Sequence, residues 1–472
     1  MVSLNQSSST RSDNEPISSP EGRTDLANAR RLVQLHGERL MYCYPWRHWL
    51  VWDGVRWRPD DCGMAERLAK DVADEVWREA QECGSEAALK WAATTASGKG
   101  IRNLLNLAAS EPGIPVGPDD LDRHHLLLNC LNGTLDLTTG QLRPPNQGDL
   151  LTKLCPVKFD PDATCPLWMR FLTTTFSRDP ELIPYARRLA GSYLTGLVRD
   201  QEVTIAHGFG QNGKSTLYNV LLNLLGADYG MIAPRGFITG SVSHSTEIAD
   251  LRGKRLVVCA ETSEQGELDE GLVKMLSGGE RIRARHCFKD HSEFDATHKL
   301  VLHSNHLPRI SGTDQGIWRR ICVVPFRHCV PENQRDRELP EKLKSELPGV
   351  LRWCLEGCRE WLPIGLQPPQ CVINANDEYR AEQDTVSGFI DRDCVDGEEL
   401  SIKLSELNGG LKRYCQSNGI AEFPTERKLS KELKRRGYRS RSSNGTWYDG
   451  ISLKEPAFPK GLRPMANQKS SL

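Results

Sequence analysis

Residues 208–216 of this sequence read GFGQNGKST, and Gly208 through Ser215 fit the pattern GxxxxGK[ST]. These types at this spacing suit one chemistry. Glycines let successive backbone N–H groups turn inward around a polyphosphate, and the start of a following helix adds partial positive charge. Lys214 can reach the β- and γ-phosphates, and the Ser215 hydroxyl can ligate Mg²⁺. Gly208, Phe209, Gly210, Gln211, Asn212, Gly213, Lys214, Ser215 and Thr216 are therefore the candidate cofactor-binding set, for a nucleoside triphosphate with Mg²⁺.

Three further segments carry candidate chemistry. An apolar stretch from Arg255 runs to Glu261, 47 residues after Lys214, where a carboxylate could hold Mg²⁺ or polarise an attacking water. A second strand pattern, Lys299–His303, is closed by Ser304 and Asn305. Asn305 can orient a water against the γ-phosphate or simply form a turn. Arg319 and Arg320 follow Gly316, as a finger for a neighbouring subunit's phosphates or as a surface ion-pair pair. Between these segments, Arg281, Arg283 and Arg285 alternate with Ile282 and Ala284, as on a strand with one basic face, and a hairpin tip with Phe288, Lys289 and His291 follows.

The elements that must position these residues are legible around them. Val203–Ala206 reads as a short buried strand. Leu217, Val220, Leu221, Leu224 and Leu225 fall at i, i+3, i+4, i+7 and i+8 along one helical face, which Gly226 is placed to stop. Upstream, Asp53-Gly54 between Trp52 and Trp57 predicts a hairpin, and those tryptophans read as core rather than as base-stacking platforms. Asn132-Gly133 and Thr139-Gly140 punctuate a second set of short strands. Residues 1–25 hold seven serines and no apolar periodicity, which predicts a disordered leader. Near the other end, two helices, the turn Asn444-Gly445 and flanking strands predict a helix pair with a wing. There, eight of the fifteen residues from Arg427 to Arg441 are Lys or Arg, a candidate phosphate-contacting face or a solvated one.

Composition narrows the class. The 472 residues carry 61 basic and 62 acidic side chains, which argues against a uniformly basic, histone-like binder but not against local basic patches. No apolar run has the length of a membrane span, and no signal peptide stands at the start. Fifteen cysteines without a CxxC pair read as reduced thiols, with a zinc site improbable.

Taken in order, GFGQNGKST, RLVVCAET (255–262), LSGGERIRAR (276–285), LVLHSN (300–305) and GIWRRICVVPF (316–326) resemble the superfamily 3 helicases of the phage, plasmid and poxvirus primase–helicase family. WDGVRW (52–57), LNGTLDLTTGQL (131–142) and DPDATCPLWMRFL (160–172) extend the likeness upstream, so it spans about residues 27–455. The resemblance implies an α/β, AAA+-like core with an α+β N-terminal domain and a C-terminal winged helix. The implied boundaries are a leader at 1–25, an associated domain at 26–170, the ATPase at 171–335, a helical connector at 336–394, the winged helix at 395–455 and a tail at 456–472.

It further implies ATP and Mg²⁺ as cofactors, bound by Lys214 and Ser215, with Glu261 as metal ligand or water activator. Ala260-Glu261 supplies one acid where many members carry two, so either Glu261 does both jobs or Glu264 helps. Asn305 would sense the γ-phosphate, and Arg319 or Arg320 would be the finger acting in a neighbouring subunit. The implied partners are single-stranded or forked DNA, other copies of the chain in a hexameric ring, and a separate primase or initiator, without a membrane. The DNA contacts would be Arg285, Lys289 and His291 at the hairpin, and Lys431, Lys434, Arg435 and Arg439 at the winged helix. Only about 25 residues precede the resemblance, which leaves no room for a primer-making domain; an origin-binding or loader protein is the remaining alternative. The expected setting is the cytoplasm of a bacterial host.

Overall fold

A computed structural model of the chain describes residues 16–454 except 235, 240–244, 260–265, 286–291, 311–314 and 419–422. The described residues form two compact units: one running to Pro308 and resuming over Arg319–Val372, the other made of Arg309–Trp318 and the chain from Ile373. No helix among them is long and apolar enough to cross a membrane.

The first unit opens with a helical layer, Asp25–His36, Met64–Cys83, Glu86–Thr95 and Gly98–Ala108. The second of these buries Ala65, Leu68, Ala69, Val72, Ala73, Val76 and Ala80, a stripe at three- and four-residue spacing whose alanines admit close neighbours. Ile17 is buried in the same core, so part of the stretch read as leader is packed. Beside the helices, Leu40–Cys43, His48–Trp52 and Trp57–Pro59 form an antiparallel sheet in which Trp52 pairs with Trp57 across the expected Asp53-Gly54 turn. Trp57 is 1% exposed and its ring lies 5.6 Å from that of Trp52, the packing role expected of these tryptophans. A second antiparallel set, Leu127–Cys130, Gly133–Asp136 and Leu142–Arg143, occupies the region of the Asn132-Gly133 turn.

The centre of this unit is a five-stranded parallel sheet in the spatial order Ile321–Pro325, Val203–His207, Lys299–Ser304, Leu256–Cys259, Gly230–Ala233. Ile321–Pro325 and Leu256–Cys259 are buried at every position, as strands covered on both faces must be. Helix Lys214–Tyr229 follows the second strand, and Gly226 breaks its regular geometry with φ 64° and ψ −177°. One continuous core joins this sheet to Leu128 and Trp168 upstream and to Trp353 and Trp361 of helix Leu347–Ile364 downstream. Those residues lie outside the 171–335 span implied for the ATPase, yet they share its core.

In the second unit, helices Thr385–Asp393, Leu404–Ser417 and Glu426–Arg435 pack on an antiparallel sheet ordered Cys394–Lys403, Thr446–Leu453, Arg439–Ser442. Phe389, Leu407, Leu411, Leu429, Leu433, Tyr448 and Ile451 make its core. Thr425 caps the basic helix by accepting from the Lys428 N–H.

Candidate functional site

The strand order decides what meets the glycine loop. Val203–His207 lies between Lys299–Ser304 and Ile321–Pro325, and all three run parallel, so all three carboxyl ends open on one edge. Ligands of open α/β sheets bind at such an edge, where the order of strands reverses. Residues 208–213 leave the central strand here and turn into the helix that starts at Lys214.

The loop has an unusual backbone. Gly210, Gln211 and Gly213 all have left-handed backbones, with φ of 88°, 54° and 83°. Alternating such conformations aims successive N–H groups into a concavity that favours anions. Gln211 is the costly member, because a side chain in this region is strained by about 1–3 kcal/mol. Its carbonyl accepts from Val330 at 3.1 Å and its side chain accepts from Arg335, which hold it in place. At Gly213 the strain is combined with crowding: a Cβ there would stand 2.7 Å from Thr175 Oγ1.

Lys214 is 2% exposed, and its ammonium donates to three oxygens among those of the described residues. They are the Gly208 carbonyl, Asn212 Oδ1 at 3.1 Å and Asn305 Oδ1 at 3.0 Å. Asn212 in turn donates through Nδ2 to the Phe326 carbonyl at 3.1 Å, at the end of the other neighbouring strand. The loop is thereby tied to both flanking strands. Ser215 Oγ lies 3.2 Å from His303 Nε2. His207 Nε2 stands 3.2 Å from the Asn305 carbonyl, an arrangement that requires the ring nitrogen to be the donor. Burial holds the His207 pKa below the ordinary histidine value, and the Lys214 charge adds to that, against the pull of the Asn305 carbonyl.

This set fits a polyphosphate with Mg²⁺. A buried ammonium stands at a helix start beside a loop with three left-handed residues, and its described partners are neutral oxygens that a phosphate can replace. Lys214 and the loop would hold the phosphates and Ser215 the metal; Glu261 and Glu264 lie outside the described residues.

Lys214, Ser215, Asn212 and Asn305 are thus brought together, but the arginine pair is not. Val203 N–H donates to the Arg320 carbonyl at 2.6 Å, which places Arg319 and Arg320 at the amino edge of the sheet. The five-residue central strand separates the two edges by roughly 16 Å. Neither arginine can serve the loop of its own chain. Arg319 is exposed and, among the described residues, takes no ion-pair or hydrogen-bond partner, whereas Arg320 is half-buried.

Strand Arg281–Ala284 exposes Arg281 and Arg283 and buries Ile282 and Ala284, the alternation read from sequence. Its basic face is compensated, however. Arg281 pairs with Asp119 at 3.1 Å, and the partner strand Ser292–Asp295 sets Glu293 opposite Arg283 and Asp295 opposite Arg281. Arg285 is exposed just beyond this strand; Lys289 and His291 lie outside the described residues. In the second unit Lys431, Lys434, Arg435 and Arg439 are all exposed. Arg435 is nonetheless engaged within the chain, donating to both carboxylate oxygens of the buried Glu432 at 2.7 and 2.6 Å. Arg436 bonds Glu432 and Asp391, and Arg441 bonds Asp449. Lys431, Lys434 and Arg439 remain the outward cations of the set.

Sequence reasoning missed His303 and Arg335. His303 stands two residues before Asn305, so the period of a strand puts both on one face; Arg335 had no local signal.

Residues 29–177 match the family described as D5 N terminal like, and residues 206–320 match a family of unknown function (DUF5906). Viral proteins named "Putative helicase" also match. That of Acanthamoeba polyphaga mimivirus is 27% identical over 342 residues, covering 67% of this chain and 36% of its own length. That of Invertebrate iridescent virus 6 is 26% identical over 259 residues, covering 52% of this chain and 26% of its own. The chain thus spans about a third of the length of these relatives or less. Among solved structures, the apo NrS-1 C-terminal region superposes with a TM-score of 0.51 at 12% identity, over 91% of this chain and 99% of that one. At that identity the likeness is one of fold: mixed α/β around a central parallel sheet. The class these matches define is that of D5-like proteins, some of whose viral relatives are named putative helicases. The chain is a relative of the helicase part of the primase–helicase family, the kinship its motif order implies.

Proposed function

We propose that this chain is the motor of an ATP-dependent DNA helicase in a viral, phage or plasmid replication system. The observation that carries the reading is the Lys214 ammonium, buried between the loop of Gly208–Gly213 and Asn305 at the edge where three parallel strands end. Bound ATP with Mg²⁺ would supply the phosphoanhydride whose hydrolysis drives movement. Lys214 would then exchange its oxygen partners for β- and γ-phosphate oxygens, and Ser215 would ligate the metal. Asn305, released from the ammonium, would orient the attacking water.

The amino-edge position of Arg319 favours action in trans, since a head-to-tail ring would bring that edge to the phosphate loop of the next copy. A ring of such subunits around one DNA strand, with the basic unit as a winged helix on duplex or fork DNA, completes the reading.

The test is strand displacement on a forked duplex with ATP, run beside Lys214→Ala. The wild-type protein should unwind, and the variant should lose ATPase and unwinding by about 10²–10³-fold. Unwinding retained by the variant would refute the site. ATP hydrolysis without displacement would point to a loader.

A further inference from the structure

The chain crosses between its two units twice within one short segment. It leaves the parallel sheet after strand Lys299–Ser304, enters the second unit at Arg309, and re-enters the first at Arg319, just ahead of strand Ile321–Pro325. Asn305 and Arg319, the two groups assigned to sensing and finger roles, therefore stand near the two ends of a segment whose interior belongs to the C-terminal unit.

The described ends of that segment are seated in the C-terminal unit. Ile310 is 3% exposed, and its N–H donates to Gln383 Oε1 at 3.1 Å. At the far end, Trp318 packs edge-on to Tyr379, with ring centroids 5.5 Å apart at 69°. The Arg380 guanidinium lies 5.9 Å from the centre of the same indole. Tyr379 is 1% exposed, so the surface on which Trp318 rests is itself fixed.

Arg319 is the single residue between two anchors. Trp318 is held on Tyr379, and the Arg320 carbonyl is held by the Val203 N–H of the central strand. Adjacent Cα atoms are about 3.8 Å apart, so any shift of the indole seat must move the Arg319 backbone. Misplacing a charge-stabilising group by about 1 Å can cost on the order of 10²-fold in rate.

We propose that Trp318 is a positioning residue for Arg319: its seat on Tyr379 sets the approach of the exposed guanidinium to a neighbouring copy's triphosphate, so that the C-terminal unit controls hydrolysis. The inference rests on the finger role proposed above. It makes the DNA-binding unit a part of the hydrolytic apparatus through two side chains that touch no nucleotide.

The experiment compares full-length wild type, Trp318→Ala, Trp318→Phe and Arg319→Ala. Each is measured for ATPase kcat and KM, affinity for a fluorescent ATP analogue, oligomer mass by light scattering, and DNA affinity. Trp318→Ala should lower kcat by about 10²-fold while KM, nucleotide affinity, oligomer mass and DNA affinity stay within about 3-fold. Trp318→Phe, which keeps an aromatic edge for Tyr379, should stay within about 3-fold of wild type. Mixing Trp318→Ala with Lys214→Ala should restore turnover, because some interfaces then join an intact phosphate loop to a correctly held arginine.

An unchanged kcat in Trp318→Ala beside an Arg319→Ala that falls by about 10³-fold would overturn the positioning role alone. Loss of DNA binding or assembly together with kcat in both Trp318 variants would overturn it too, as a merely structural effect. An Arg319→Ala variant with wild-type turnover would instead overturn the finger reading on which this inference rests.

Discussion

Lys214 Nζ donates to Asn305 Oδ1 at 3.0 Å, joining the first residue of the helix after the glycine loop to the residue that follows a neighbouring strand. The two lie 91 residues apart in sequence, and the parallel sheet alone brings them together. A phosphate taken up by the Lys214 ammonium would compete with this contact, so occupancy of the loop would be reported at the strand end.

Asn305→Ala removes the reporter and leaves the ammonium its two loop acceptors. The expected result is nucleotide affinity within a few-fold of wild type and kcat lower by about 10²-fold, read by steady-state ATPase beside analogue titration. An unaltered kcat would reduce Asn305 to a turn former.

Gly213 and Gly210 offer a matched pair. Both have left-handed backbones, but a Cβ at Gly213 meets Thr175 Oγ1 at 2.7 Å, whereas one at Gly210 meets nothing within 4 Å. Gly210→Ala should cost only backbone strain of about 1 kcal/mol. Gly213→Ala should cost more and deform the phosphate cradle. Thermal melting with and without ATP–Mg²⁺ separates them, since only Gly213→Ala should lose the stabilisation that ligand confers.

Glu432 restrains the charge of the basic helix. Burial works to raise its pKa, yet hydrogen bonds from Arg435 and Arg436 outweigh that and hold it below the ordinary value of 4.5. A carboxyl depressed in the folded state contributes stability above its unfolded pKa, and that contribution is lost as pH falls through the folded value. Wild type should therefore weaken as pH drops below about 4.5, and Glu432→Gln should lack that component in acid melting curves. At neutral pH the variant should be less stable by roughly 1–3 kcal/mol. It should also bind DNA more tightly with a steeper salt dependence, because Arg435 is freed.

Lys431 and Lys434 predict the opposite phenotype. Replacing both with Ala should weaken DNA binding across sequences and reduce the slope of log K against log salt by about 2. Hydrolysis measured without DNA should be unchanged. A salt slope equal to wild type would move the DNA contact elsewhere on the unit.

Much of this arrangement is legible in the sequence because it is local. The glycine loop, the Asp53-Gly54 hairpin, the alternation at Arg281–Ala284 and the Thr425 cap each follow from residues within one turn or strand. Pairings made at a distance left no such trace. Asp119 neutralises Arg281 from 162 residues away, and Asp391 meets Arg436 across 45. The net charge of a patch depends on these acids, so a run of Lys and Arg overstates the cation it presents. Nothing local marks residues 309–318 as part of the C-terminal unit either, because Ile310 and Trp318 find their neighbours around Tyr379 and Gln383 only in the folded chain.

The placing of the loop strand between two later strands has a consequence for biosynthesis. Asn212 takes its anchor from Phe326, 114 residues downstream, and Lys214 takes one from Asn305. While the ribosome is still adding that stretch, the glycine loop has a helix behind it but neither flanking wall. At about 5–20 residues per second the interval lasts many seconds. A nascent or truncated chain that stops short of Asn305 carries the whole GxxxxGK[ST] loop yet lacks both groups that shape it, and one that stops between Asn305 and Phe326 still lacks the second.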